Sequence, residues 1–298
     1  MATNDRSGVL RSGIFLILLS MSLTPLGDAI SKHLASAQPP VEIVFLRYLA
    51  AGLIGLCLIL LRGRGVHLRR QQFGGLILRT FCVMAAMSLL AMALALVPLA
   101  VAVGGFLIAP LVAVLISVVL YRERLTVPRA TGAAFSFLGA LAILRPEAGI
   151  SPGALAALGG GGMLGVFLAL TRGAGAMPDA LAALTVQCLL GAFLVAPIAV
   201  LGGLDFTLVP VLPALGLGQV TAATHFLTVA AYQRAEAGLL APFFYFSLVA
   251  ALAIGLVWFE EFPDAQALVG LGAILTGGLI SLVPVGRFAR RRSAAIRA

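Results

Sequence analysis

Residues 100–121 read AVAVGGFLIAPLVAVLISVVLY, a run of 22 residues without a charged side chain. A helix of about 20 apolar residues crosses a hydrocarbon core about 30 Å thick, so this run predicts a transmembrane helix. A barrel strand would be about ten residues long and would alternate apolar with polar positions. The run does neither, and it ends at the basic segment RERL, residues 122–125.

The rest of the chain has the same apolar character. Of its 298 residues 61% are hydrophobic and 10% charged, and the mean hydropathy is +1.11. Soluble domains average about 45–50% apolar and about 25% charged residues. This composition excludes a soluble enzyme fold, a disordered chain and a disulfide scaffold. We therefore expect an all-α integral membrane protein.

Charged residues, prolines and glycines divide the chain into ten apolar segments. They are Gly13–Ala35, Val41–Leu61, Phe73–Val97, Ala100–Tyr121, Val127–Leu144, Pro152–Thr171, Ala180–Leu201, Val211–Tyr232, Gly238–Phe259 and Ala265–Val285. Each is long enough for one transmembrane helix, so the sequence predicts ten of them.

The basic residues are distributed unevenly between the two sides of these segments. With the N terminus in the cytoplasm, 16 of the 20 Lys and Arg residues lie on the cytoplasmic side: Arg6, Arg11, Arg62, Arg64, Arg69, Arg70, Arg122, Arg124, Arg129, Arg172, Arg234, Arg287, Arg290, Arg291, Arg292 and Arg297. Only Lys32 and Arg145 lie outside, while Arg47 and Arg79 fall within spans. By the positive-inside rule, both termini are predicted to be cytoplasmic. The net charge of +9 therefore reports membrane orientation and not a nucleic-acid partner.

The two halves of the chain share a common register. Glu123 and Glu261 are followed at identical spacings, with a constant offset of 138, by Gly132, Gly139, Leu141, Leu144 and Pro146 in the first half and by Gly270, Gly277, Leu279, Leu282 and Pro284 in the second. An offset of 140 aligns Gly13 with Gly153, Lys32 with Arg172, and Arg47 with Gln187.

Each half holds five spans, and because five is an odd number the second half must enter the membrane from the opposite side. Inverted repeats of this kind characterise secondary transporters, whose binding site lies near the midplane between the repeats. We expect a cytoplasmic tail over residues 1–12, a first repeat over 13–146, a second repeat over 147–285 and a basic cytoplasmic tail over 286–298.

The repeated pattern E-x8-G-x6-G also carries a family resemblance. Before it, the first half contains Arg79, the segment ALVPLA (residues 95–100) and Pro110. The chain resembles two copies of the EamA domain of the drug/metabolite transporter superfamily, over residues 12–285. The resemblance implies ten helices in two inverted five-helix repeats and export of small metabolites. In size and layout the chain is nearest to the amino-acid exporter branch.

A polar stripe runs along the eighth span. Thr221, His225, Thr228 and Tyr232 recur at spacings of 4, 3 and 4, which places them on one helix face. Such a face lines a cavity or forms hydrogen bonds to another helix, and both interpretations remain open. The corresponding face of the third span carries Met84 and Met87, whose flexible side chains suit varied apolar ligands or a packed core.

The fourth and ninth spans contain residues that break helices: Gly104, Gly105 and Pro110 in the fourth and Pro242 in the ninth. Proline inside a helix frees a carbonyl group, and breaks in both halves of a transporter point to its binding site. Tyr245 lies three residues beyond Pro242 and adds a hydroxyl group to that face.

Three charged residues fall within the first two spans. Asp28 and Lys32 lie one helical turn apart, and we expect them to pair with each other. Arg47 could bind a substrate carboxylate, pair with Asp28 or extend to the interface. If transport is coupled to protons, Asp28 or His225 would carry them, although we expect facilitated diffusion.

These residues predict a secondary transporter that exports amino acids or similar small metabolites across a bacterial inner membrane by alternating access. Alternatives are another substrate class on the same fold (a vitamin, an S-adenosylmethionine-like compound or a drug cation), a passive channel and a membrane-embedded enzyme. We expect no cofactor and no metal, because HExxH and Walker motifs are absent from the sequence. The expected partners are a small-molecule substrate and the lipid bilayer, with no nucleic acid, and the protein is expected to be a monomer.

Overall fold

A computed structural model describes residues 2–63, 73–121, 127–144, 151–173, 180–202, 211–232 and 241–281. Every regular element in these ranges is a helix: α1 (Ala2–Leu34), α2 (Pro40–Leu61), α3 (Phe73–Leu96), α4 (Leu99–Phe106), α5 (Ala109–Tyr121), α6 (Val127–Leu144), α7 (Pro152–Gly173), α8 (Ala180–Leu201), α9 (Val211–Tyr232), a 3-10 helix (Ala241–Tyr245), α10 (Phe246–Phe259) and α11 (Ala265–Ser281). The expected all-helical fold class is confirmed for these ranges.

Many of these helices are apolar enough to cross a bilayer. By length and composition six can do so: Ser12–Leu34, Pro40–Leu61, Gly74–Leu96, Leu99–Leu120, Pro152–Leu170 and Leu181–Leu201. Three shorter apolar helices cover Ala130–Ile143, Phe243–Phe259 and Ala265–Ile280. Within the described ranges α9 belongs to neither group, and it carries the polar stripe.

The first helix starts earlier than its apolar run. It begins at Ala2, so residues 2–12, which we expected to form a tail, continue the helix of the first span. Hydropathy locates only the part of a helix that lies in the hydrocarbon region. The expected C-terminal tail, residues 286–298, lies outside the described residues.

Two predicted spans are broken helices. The fourth changes from α4 to α5 at Leu107 and Ile108. Pro110 lies two residues after Ile108, and it has no N–H to donate to a preceding carbonyl group. The ninth span opens with the 3-10 helix that contains Pro242, and its α-helix starts at Phe246. The expected breaks therefore occur in both spans.

Four helix pairs make the largest contacts in the bundle. α1 packs against α9, α3 against α7, α2 against α8, and α6 against α11. α4 packs against α7 and α10, whereas α5 packs mainly against α7. Each of these four pairs joins a helix of the first half to a helix of the second, so the halves interlock.

The contact between α6 and α11 depends on glycine. A Cβ atom on Gly139 would lie 2.5 Å from the carbonyl oxygen of Gly270, and one on Gly277 would lie 2.5 Å from that of Gly132. Between these two contacts, Ser136 Oγ donates to the carbonyl oxygen of Ile274 at 3.3 Å. The two helices run antiparallel with their backbones in contact, an approach that small residues allow in membranes.

We predict that Gly277→Val destabilises the protein by about 1–3 kcal/mol, because the new side chain would overlap the backbone of α6. Gly272→Val is the matched control, since a Cβ at Gly272 on the same helix meets nothing within 4 Å. Thermal unfolding in detergent measures both variants. Equal melting temperatures would contradict the backbone contact.

Candidate functional site

A buried ion pair joins α1 to α2 and is tied to α9. Arg47 Nη1 donates to Asp28 Oδ1 at 3.1 Å, and Arg47 Nε donates to Thr221 Oγ1 at 2.9 Å. The side chains of Arg47 and Asp28 are 10% and 5% exposed. We call these three residues the Arg47 cluster, and three helices of the bundle meet at it.

The hydrogen bonds of Thr221 explain why it suits this position. Its hydroxyl group donates to the carbonyl oxygen of Leu217 at 2.8 Å, within α9. The oxygen lone pairs are therefore free to accept from Arg47 Nε, which can only donate. A hydroxyl at this position satisfies one of the guanidinium donors without adding a second charge.

One turn further along α9, His225 is half-buried and lies beside the Arg47 cluster. Its Nδ1 lies 3.0 Å from the carbonyl oxygen of Thr221. Because a carbonyl oxygen only accepts, Nδ1 carries the proton in this contact. In the neutral ring Nε2 is then a hydrogen-bond acceptor.

The next part of the predicted stripe contacts another helix. Ser20 Oγ of α1 donates to the carbonyl oxygen of Thr224 at 2.8 Å and lies 2.8 Å from Thr228 Oγ1. Since Ser20 has only one proton to give, Thr228 is the donor in the second contact. Thr228 thus bonds α9 to α1, and sequence reasoning had not identified Ser20 or Thr224. The side chain of Tyr232 lies outside the described residues.

The expected pair between Asp28 and Lys32 is wrong. Asp28 pairs with Arg47, and Lys32 Nζ lies 3.1 Å from Glu261 Oε1. Lys32 also donates to the carbonyl oxygens of Leu94 at 3.0 Å and Val97 at 2.7 Å. Spacing of one turn puts two side chains on one face, but here each has a partner on another part of the bundle.

The Lys32–Glu261 pair lies at one end of the bundle. Glu261 Oε2 accepts from the backbone N–H of Leu99 at 3.1 Å, and Lys32 lies over the ring of Phe259 at 5.6 Å. The pair therefore connects the end of α1, the turn between α3 and α4, and the segment between α10 and α11. We call this the Lys32 end of the bundle.

Backbone geometry places Glu261 at this position. Glu260 adopts a left-handed conformation with φ of 55°, which is uncommon for a residue other than glycine. The chain reverses there, and the Glu261 N–H donates to the carbonyl oxygen of Gly255 at 3.0 Å. This is a left-handed C-terminal cap of α10, and it places Glu261 just beyond the end of that helix.

The methionines predicted to line a cavity lie in packed surroundings. Met84 is 3% exposed, and its Sδ would lie 2.6 Å from a Cβ atom on Gly191 of α8. Met87 is half-buried and packs against hydrophobic residues of both halves. In this conformation Met84 fills the core between α3 and α8.

The chain matches a family model of EamA-like transporters over residues 11–145. We refer to residues 11–145 as the EamA-like domain. A solved structure described only as the crystal structure of a protein is similar in fold, with 22% identity and a TM-score of 0.63 over 92% of this chain and 96% of that chain. No curated protein matches the chain.

The EamA-like domain contains three of the four charged residues that form the two ion pairs. Asp28, Lys32 and Arg47 all lie within it. Their partners Thr221 and Glu261 lie beyond residue 145. Each polar cluster therefore needs both halves of the chain, and the apolar helices together with the family match over residues 11–145 indicate a multi-pass membrane protein.

The helix-breaking residues of the EamA-like domain also serve close packing. A Cβ atom on Gly105 would lie 2.8 Å from Ala157 Cβ of α7, and one on Gly104 would overlap Leu271 of α11. In the second half, Tyr245 is 5% exposed and its ring would overlap a Cβ atom on Gly278. The Tyr245 hydroxyl group has no hydrogen-bond partner among the described residues.

Proposed function

We propose that the protein is a secondary transporter that exports amino acids or similar small metabolites by alternating access. The Arg47 cluster carries this proposal. It places a guanidinium and a carboxylate group 3.1 Å apart inside an apolar bundle, at the junction of helices from both halves. Ionisable groups within a membrane are rare and cluster along substrate and ion pathways.

The packing of the helices supports an inverted repeat over residues 13–146 and 147–285. In the two repeats α1 is equivalent to α7, and α3 is equivalent to α9. The contact of α1 with α9 is therefore equivalent to the contact of α7 with α3. In the same way, the glycine contact between Gly132 and Gly277 is equivalent to the contact between Gly270 and Gly139. Substrate sites of such transporters lie between the repeats.

The two helix breaks follow the same register. The turn between α4 and α5 falls at residues 107 and 108, and the change from the 3-10 helix to α10 falls between residues 245 and 246. These positions differ by 138, which is the offset of the glycine pattern. Broken helices at equivalent positions of two repeats support a binding site between them.

The Lys32–Glu261 pair supports alternating access, which requires that the bundle close at one end at a time. At the Lys32 end this pair lies beside the buried side chain of Leu99, and Leu248 and Leu271 pack against Gly104 further into the bundle. In the orientation that the arginines predict, this end faces away from the cytoplasm. The conformation then corresponds to a carrier closed on the outside.

Uptake by proteoliposomes tests the proposal. The purified protein is screened against labelled amino acids, with and without a pH gradient. We predict saturable uptake of at least one amino acid that stops at equilibrium, with no accumulation when a proton gradient is imposed. Saturable uptake of a vitamin or organic cation alone would replace the substrate class, and uptake that rises linearly with concentration would indicate a channel.

A further inference from the structure

We infer that Arg47 and Asp28 bind the two opposite charges of one zwitterionic substrate, with the carboxylate of the ligand on Arg47 and its ammonium group on Asp28. The inference rests on the proposed transport function and defines the charge of its substrate. The ligand would separate the pair and replace one internal ion pair with two between protein and substrate.

The guanidinium group holds its two partners through two of its three nitrogen atoms. Arg47 uses Nε for Thr221 and Nη1 for Asp28. Its Nη2 lies beside Gly27, where a Cβ atom would be 3.6 Å away and would also approach Val220 Cγ1 at 3.2 Å. Because Gly27 has no side chain, Arg47, Val220 and Leu217 pack directly against α1 there, and a ligand carboxylate would reach the planar fork of Arg47 by displacing the Asp28 carboxylate.

The charge balance of the Arg47 cluster selects against ions of either sign. One guanidinium and one carboxylate group sum to zero. A net anion or cation would leave an uncompensated charge in surroundings of low dielectric constant, which costs several kcal/mol. A zwitterion adds no net charge, and each of its ends finds an opposite charge in place.

Other described charges do not offer this arrangement. Lys32 donates to Glu261 and to two backbone carbonyl groups at the end of the bundle, so its three donors are used. Glu42 is buried too, but it lies in the first turn of α2, toward that same end. Gln187, which the repeat aligns with Arg47, is uncharged. The described part of the chain therefore holds one charge-balanced pair at this depth.

The neighbours of the pair define the rest of the ligand. Beside Gly27 lie Val220 and Leu217, whose side chains are apolar. His225 adds a ring nitrogen one turn along α9. These groups fit an α-amino acid with a small neutral side chain better than a long polar one.

Matched ligands test the inference in two assays. Leucine, valine, alanine, serine and threonine are each compared with the N-acetyl form, a net anion, and with the amide, a net cation. We expect at least one free amino acid to raise the melting temperature of the detergent-solubilised protein and to enter proteoliposomes. The corresponding N-acetyl form and amide should bind at least about 30-fold more weakly, because each leaves one charge of the pair unmatched.

Variants at the pair separate recognition from folding. The double variant Asp28→Asn/Arg47→Gln keeps the site neutral and should lose amino-acid binding at least about 30-fold. Ser22→Ala is the control, since Ser22 Oγ of the same helix donates only within α1, to the carbonyl oxygen of Leu18. It should retain binding. If the double variant bound and transported as the unmodified protein does, the pair would be structural and the inference wrong.

The outcomes distinguish this inference from the proposed function. Saturable transport of an N-acetyl form or an amide in preference to the free amino acid would overturn zwitterion recognition and leave the transporter intact. Binding of the free amino acid without saturable flux of any ligand would support recognition and contradict the transporter. Absence of binding by all five amino acids would overturn the inference.

Discussion

Asp28→Leu alone should lower the free energy of unfolding by about 3–5 kcal/mol, because Arg47 would stay buried without a carboxylate partner. Arg47→Met alone should have an effect of similar size for the converse reason. The double variant Asp28→Leu/Arg47→Met removes both charges and should recover most of the loss. Replacement of a buried ion pair by apolar residues of similar volume is often neutral or stabilising.

Unfolding of the four proteins in detergent, followed by circular dichroism, gives the coupling energy of the pair. The recovered double variant should nevertheless lose transport, because a folded protein without the pair has no charges to bind a substrate. If the double variant lost as much free energy of unfolding as the two single variants together, this result would contradict the direct pairing of Asp28 with Arg47.

Glu261→Gln should open the Lys32 end of the bundle, the second large effect that we predict. The substitution removes the charge that holds Lys32 and weakens the acceptor for the Leu99 N–H. Ala29 precedes Lys32 by three residues on α1 and is fully buried. A cysteine in its place reports this opening. Its labelling by a membrane-impermeant maleimide, added outside intact cells, should become at least about tenfold faster than with Glu261 present.

Glu260→Gln is the matched control, since Glu260 carries the same charge at the neighbouring position and is exposed. It should leave the labelling rate of the Ala29→Cys reporter unchanged. The reporter is best placed in a protein without Cys57, which is exposed and would react as well. Equal labelling in the Glu260→Gln and Glu261→Gln variants would contradict closure by the Lys32–Glu261 pair.

Helix positions were predictable from the sequence where an apolar run ends at a charged or turn-forming residue. α2 and α8 end at Leu61 and Leu201, as predicted. The prediction was less accurate for the first helix, which continues to Ala2 beyond the apolar run. Hydropathy reports the bilayer and carries no information about a helix that extends past it.

The partners of the charged residues were not predictable in the same way. Spacing along α1 shows that Asp28 and Lys32 share a face, but only tertiary contacts decide that each pairs elsewhere. A signal for Glu261 was available, because the repeat that aligns Lys32 with Arg172 also aligns Glu123 with Glu261. For the partner of Lys32, a charged residue repeated in both halves was a better indication than helical spacing along α1.

Helical periodicity also could not predict which residues of the polar stripe on α9 contact which neighbouring helix. It places Thr221, His225 and Thr228 on one face, yet the structure has Thr221 bonded to Arg47 and Thr228 bonded to Ser20. One helix face meets two neighbours at different depths, and a repeat of 3.6 residues does not contain that information. The role of these residues in substrate binding remains a prediction.

Counterflow in proteoliposomes tests alternating access most directly. Vesicles are loaded with an unlabelled amino acid found by the uptake screen and diluted into a trace of the labelled form. A carrier that exposes its site to one side at a time predicts transient accumulation of label above equilibrium, which vanishes in the Asp28→Asn/Arg47→Gln variant. Uptake without an overshoot, proportional to concentration at all levels, would contradict the account.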